Sequence, residues 1–157
     1  TGRVNRFSEE ELRPLGRTAR GVKGITLDEG QYVMSMMLPD EEDIVLLATE
    51  EGYGKRTKIS EFTTHRRGGK GVIGIRTSER NGALVAATLV EEEDEIMLIS
   101  RNGVLVRTSV SEISILGRNT QGVRLIRLDE GDALVGLSRV DESDQLEEER
   151  ALETDEV

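Results

Sequence analysis

Apolar residues along this chain come in short bursts, and no window sustains the 3.6-residue rhythm of a helix over ten positions. Ile44-Val45-Leu46-Leu47-Ala48-Thr49 is one such burst, closed by the turn signal Glu51-Gly52, and a second run ending in Arg56-Thr57 follows at once. Two short runs about a glycine turn predict a β-hairpin. A polar stretch rich in Gly and Arg leads on to Val72-Ile73-Gly74-Ile75-Arg76 and, past Asn81-Gly82, to Ala83-Leu84-Val85-Ala86-Ala87. The pattern therefore predicts four strands, with room for a single helical turn at Ser60-Glu61-Phe62.

The same text then recurs at a period of about 50 residues. The run from Asp43 to Thr49 returns as Asp94-Glu95-Ile96-Met97-Leu98-Ile99-Ser100, Gly52 as Gly103, Arg56-Thr57 as Arg107-Thr108, Glu61 as Glu112 and Gly71-Val72 as Gly122-Val123. The register also reaches back to Gly2, Arg6, Glu11, Arg17, Gly21, Val22 and Ile25. The first copy thus enters at its hairpin turn without its opening strand, which, with the start at Thr1 rather than a methionine, points to a piece cut from something longer. Four-stranded units repeated at such a period predict an all-β, propeller-like partial array in which each blade buries its apolar face against the next. The expected division is an incomplete blade at residues 1–40, blades at 41–91 and 92–140, and a tail at 141–157 whose nine acids and single Arg hold too little apolar content to fold.

Composition removes several chemistries. With no Cys and one His, disulfides, thiolate nucleophiles and zinc sites of several His or Cys ligands are excluded, and His65 reads as a loop residue. No apolar run approaches the roughly 18 residues of a membrane span and no signal peptide is legible, so a soluble, cytoplasmic segment is expected. Gly69-Lys70-Gly71-Val72-Ile73-Gly74 matches a dinucleotide fingerprint by letter only, because a strand follows where a helix is needed. A Walker A loop fails because Gly71 follows Lys70 where Ser or Thr should stand. The consecutive acids Glu91–Glu95 read as a solvated connector rather than a calcium loop.

A net charge of −10 argues at first against nucleic acid, but its distribution reverses that. Residues 1–27 hold six Arg or Lys against three Glu, 52–80 eight against two acids, and 101–127 five against one, giving windows of +3, +6 and +4. The windows share one phase of the repeat, so stacked copies would line them along a rim that can follow a phosphate backbone. The densest patch is His65-Arg66-Arg67-Gly68-Gly69-Lys70-Gly71, where glycines let the backbone turn tightly and bring its N–H groups near an anion. Leu15-Gly16-Arg17-Thr18-Ala19-Arg20-Gly21 and Leu116-Gly117-Arg118-Asn119-Thr120-Gln121-Gly122 are weaker versions. The candidate phosphate contacts are Arg66, Arg67, Lys70, Lys55 and Arg56, extended by Arg17, Arg20, Lys23, Arg118 and Arg124, with Gly68, Gly69, Gly71, Gly21 and Gly122 shaping the loops. No catalytic or metal-binding set is expected.

The loop at 65–71 resembles the gyrase A box, Gln-Arg-Arg-Gly-Gly-Lys-Gly, and departs from it only at His65. Gly52-Tyr53-Gly54-Lys55-Arg56-Thr57, Thr77-Ser78-Glu79-Arg80-Asn81-Gly82 and the stretch from Val110 to Gly122 are similar to the last blades of bacterial DNA gyrase A subunits, and the resemblance covers residues 1 to about 140. It implies a six-bladed β-pinwheel, of which this chain holds the last half, and a non-catalytic domain that wraps double-stranded DNA in support of negative supercoiling. It further implies two partners, the rest of the gyrase A subunit together with the gyrase B subunit, in a heterotetramer of two A and two B subunits, in the bacterial cytoplasm on the nucleoid. No cofactor is expected in this segment, ATP and Mg²⁺ belonging by resemblance to the parent enzyme. The alternatives are the equivalent domain of topoisomerase IV, which the box-like loop disfavours, and a propeller-type scaffold whose basic loops meet an acidic protein.

Overall fold

The computed structural model of the protein describes residues 1–140, so the expected acidic tail at 141–157 lies outside the described residues. Its regular structure consists of strands β1 (Arg3–Val4), β2 (Ile44–Thr49), β3 (Tyr53–Lys58), β4 (Val72–Ile73), β5 (Leu84–Val90), β6 (Glu95–Ser100), β7 (Leu105–Ser109), β8 (Val123–Arg124) and β9 (Leu134–Arg139), with single 3-10 turns at Glu9–Glu11, Ile59–Glu61 and Val110–Glu112. The two predicted hairpins are present as β2–β3 and β6–β7. The predicted third strand is shorter than its apolar run, because Gly74 breaks away after Ile73.

The short strands reveal how the copies are joined. Each copy keeps its hairpin and its last strand together, β5-β2-β3 in the second and β9-β6-β7 in the third. Its two-residue third strand goes to the copy before: β8 pairs with β3 through Tyr53↔Arg124 and Gly54↔Val123, and β4 pairs with β1 through Arg3↔Ile73 and Val4↔Val72. The second and third copies each contribute the expected four strands, but their short third strands are lent to the copy before, so that β8 becomes the fourth strand of the second copy's sheet and β4 the partner of β1. Hydrogen-bond demand gives the reason, since an outer edge left bare would expose a row of unpaired N–H and C=O groups.

The core follows the same plan. Val45 and Leu47 face the first copy with Ile59, Phe62 and Ile75, whereas Leu46 and Ala48 face the third copy with Ile96, Leu98, Ile113, Ile126 and Leu134. Strand β2 is thus buried on both faces, which is why its sequence is a continuous apolar run rather than an alternating one. Strand β6 has only one face covered among the described residues, and its burial alternates accordingly.

One glycine per copy makes the exchange possible. Gly71 and Gly122 have φ of +68° and +80°, and a Cβ at either would overlap backbone of the preceding copy, the Val4 carbonyl in one case and Gly54 in the other. These positions need glycine for conformation and for space together.

Candidate nucleic-acid interface

The loop of each copy lies across the copy before it, in the same way at both seams. At the first seam His65 N donates to Arg6 O at 2.8 Å and the Arg67 guanidinium to Lys23 O at 2.7 Å. At the second, Leu116 N donates to Arg56 O at 2.8 Å and the Arg118 guanidinium to Ile73 O at 2.8 Å. His65 and Leu116, Arg67 and Arg118, and Lys23 and Ile73 are equivalent positions of the repeat. The two loops therefore occupy the same place relative to their own copies, which is the arrangement a recurring backbone contact requires.

Within this frame the candidate cations divide into fasteners and free groups. Lys55 is fully buried, and its ammonium donates to Gly117 O and Arg118 O at 2.6 Å and to Thr120 Oγ1 at 3.0 Å. Arg56 is buried too, donating to Ile113 O at 2.6 Å and pairing with Glu92. Neither is a phosphate contact, and this corrects the expectation from charge alone. Both side chains satisfy carbonyls left over where the third copy's turn and loop cross β3, and buried cations need such partners. Arg6 performs the same task at the first seam, donating to Ile59 O and Phe62 O and pairing with Glu41, whose carboxyl is held below its usual range by that hydrogen bond. Three of the loop glycines are corrected likewise. Gly68 N donates to Gly24 O and the Gly71 and Gly122 positions abut backbone, so they fit the loop to the seam rather than forming an open nest for an anion.

Arg66 and Lys70 are exposed at the loop surface, Lys70 with only a loose pairing to Asp28 at 3.7 Å. Lys23 is brought beside them, its stem lying 3.8 Å from where a Cβ on Gly68 would stand. Arg17 and Arg20 lie on the exposed stretch of the first copy. Arg67 and Arg118 are half-buried and committed at one nitrogen. Arg124 is exposed and donates to the Tyr53 hydroxyl at 2.9 Å. The exposed Arg76, Arg80, Arg101 and Arg127 were not among the sequence candidates, although Arg76 and Arg127 stand at one phase of the repeat, one residue past Ile75 and Ile126, and that recurrence could have marked them.

Burial pushes the Lys55 ammonium down to about 8, with the Arg118 guanidinium adding to the shift and Glu61 opposing it. Folded Lys55 loses its proton near that pH and the unfolded side chain only near 10.5, so unfolding takes up a proton in between and stability should rise with pH across this window. Urea unfolding from pH 8 to 10 should show the rise in the native chain and not in Lys55→Met; parallel profiles for the two would refute the assignment.

A family model described as "DNA gyrase C-terminal domain, beta-propeller" matches residues 1–40, 43–91 and 94–141, one stretch for each copy. The chain belongs to this family. It is 55% identical over 141 residues to the DNA gyrase A subunit of Pseudomonas aeruginosa, covering 90% of this chain and 15% of that protein, so it spans only a small part of its curated relatives. Among solved structures it is similar to a DNA gyrase A C-terminal domain, with a TM-score of 0.77 at 31% identity over 86% of this chain and 46% of that one. It is also similar to the C-terminal domain of DNA topoisomerase IV, with a TM-score of 0.80 at 26% identity over 94% of this chain and 47% of that one. Among the described residues no helix is long and apolar enough to cross a membrane, and no cluster of His, Cys, Asp or Glu could hold a metal ion.

Proposed function

We propose that this chain is a non-catalytic DNA-wrapping segment of a gyrase A subunit, holding duplex DNA against its exposed loop cations and presenting it to strand-passage machinery in the rest of the enzyme. The observation that carries this reading is the seating of loop 65–71 on the first copy with Arg66 and Lys70 left exposed, a seating that loop 116–122 repeats on the next copy, so that equivalent blade edges recur at a regular interval. Arg66, Lys70 and Lys23 are the leading contacts, with Arg17, Arg20 and Arg124 extending the track. Arg67 and Arg118 act by holding the loops in place. Binding of this kind draws on counterion release and is blind to base sequence.

By the same reading the chain works within an assembly of A and B subunits in the bacterial cytoplasm, close to the nucleoid, and the ATP and Mg²⁺ of the reaction are used outside this segment. The acidic tail at 141–157 competes with DNA for the basic surface. Identity of 55% to a gyrase A subunit, with the box-like loop, favours gyrase over topoisomerase IV.

Duplexes of graded length carrying a fluorophore at each end separate wrapping from the alternative of a protein scaffold. Energy transfer between the ends should increase once the duplex is long enough to reach both seams, and affinity should rise with it. Binding with no change in end-to-end distance at any length would rule wrapping out.

A further inference from the structure

The two seams are built alike, yet their loops are unequal. Loop 65–71 carries Arg66 and Lys70 as exposed cations, whereas Gly117 and Gln121 stand at the equivalent places in loop 116–122. Its remaining cation, Arg118, is tied to Ile73 O. If the loops alone held DNA, the second seam would offer almost nothing.

The charge is found a short way along the same chain segment. Arg124, two residues beyond Gly122, lines an open cleft of about 550 Å³ at the hairpin-turn end of the second seam, together with Tyr53, Arg80 and Arg101. The Arg80 guanidinium lies 5.0 Å from the centre of the Tyr53 ring and that of Arg124 lies 5.3 Å from it, with Arg124 also donating to the hydroxyl. Stacking on a ring face leaves the edge N–H groups of a guanidinium free, in the fork that matches a phosphate. No carboxylate among the described residues forms an ion pair with Arg80, Arg101 or Arg124. Nor is the cluster part of the repeat: at the first seam Arg3, Gly30 and Ile73 stand where Tyr53, Arg80 and Arg124 stand here, and Arg3 is bound to Lys70 O and Gly71 O. Features shared by both seams hold the blades together; this one does not recur, so holding blades together does not explain it.

We propose that the Arg80–Tyr53–Arg124 cleft is the phosphodiester seat of the second seam, taking over the part that the Arg66 and Lys70 loop plays at the first. This rests on the DNA-wrapping reading. Two residues of strand put Arg124 roughly 7 Å beyond Gly122, so a backbone lying on the second loop reaches the cleft without leaving the blade edge. The carboxylates that share the cleft narrow the ligand. Glu50 accepts from Ala83 N at 2.9 Å, and Asp132 accepts from Asn102 N at 3.1 Å and Ala133 N at 2.8 Å, so both are held by backbone donors. Glu51, Asp129 and Glu130 remain at the mouth and disfavour entry of a free anion. A phosphodiester already held by neighbouring contacts enters at high effective concentration and overcomes them.

The test is the salt dependence of duplex binding by the intact chain. Arg80→Ala with Arg124→Ala should lower the slope of log Kobs against log salt by about two units, and the corresponding Lys pair should restore most of it. Asn119→Ala with Gln121→Ala, in the second loop, should leave the slope unchanged, and inorganic phosphate should compete no better than chloride at equal ionic strength. An unchanged slope in the Arg80 and Arg124 variant, while Arg66→Ala with Lys70→Ala still lowers it, would overturn the cleft and leave the wrapping reading standing. Absence of duplex binding by the native chain would overturn both.

Discussion

Gly122→Val should cost about 3–5 kcal/mol of stability and lower the Tm by roughly 10 °C. Two penalties act together. The residue sits at φ +80°, where a β-branched side chain is strained, and its Cβ would overlap the Gly54 carbonyl and Cα, which are backbone and cannot swing aside. Relief requires lifting β8 off β3, and with it go the two paired positions of that ladder and the shielding of Lys55 beneath the loop. Amide hydrogen exchange should therefore accelerate first at Val123–Arg124 and along β3, before the β6–β7 hairpin loosens. Gly117→Ala is the control, since its Cβ meets nothing within 4 Å, and its effect should stay within about 0.5 kcal/mol. Equal stability of the two variants would mean that strand exchange does not hold the copies together.

The hairpins were legible in the sequence because their signals are local: a continuous apolar run, a glycine turn and a second run, each repeated at one period. The exchange of β4 and β8 was not, because each is only two residues long and finds its partner about 70 residues away, so no window of local pattern contains both sides. The recurrence of Gly21, Gly71 and Gly122 could have hinted at it, since a glycine kept at one phase marks a place where backbone must come close. Lys55 and Arg56 were misread for a related reason. Charge on a strand next to a basic loop looks like surface, and nothing local shows that three acceptors arrive from residues 117 to 120. Arg80 escaped, and the pairing of Arg124 with it was not legible, because Tyr53, the ring that gathers them, lies 71 residues before Arg124.

What the sequence does carry reliably is the phase of its cations; what it leaves open is which of them face water. Arg66 and Lys70 stand exposed on a loop whose fold is held by Arg67, Gly68 and Gly71. Lys55 carries the same charge into the seam. The wrapping account assigns DNA contact to the first two and denies it to the third, although all three contribute equally to net charge.

The measurement that tests this most directly is the salt dependence of duplex binding in two variants of the intact chain. Arg66→Ala with Lys70→Ala should flatten the slope of log Kobs against log salt by about two units with the Tm unchanged, because each lost phosphate contact removes about 0.9 of a unit. Lys55→Met should leave the slope as it is in the native chain. A native slope in the Arg66 and Lys70 variant, or a Lys55→Met variant that flattens it to the same degree, would contradict the account.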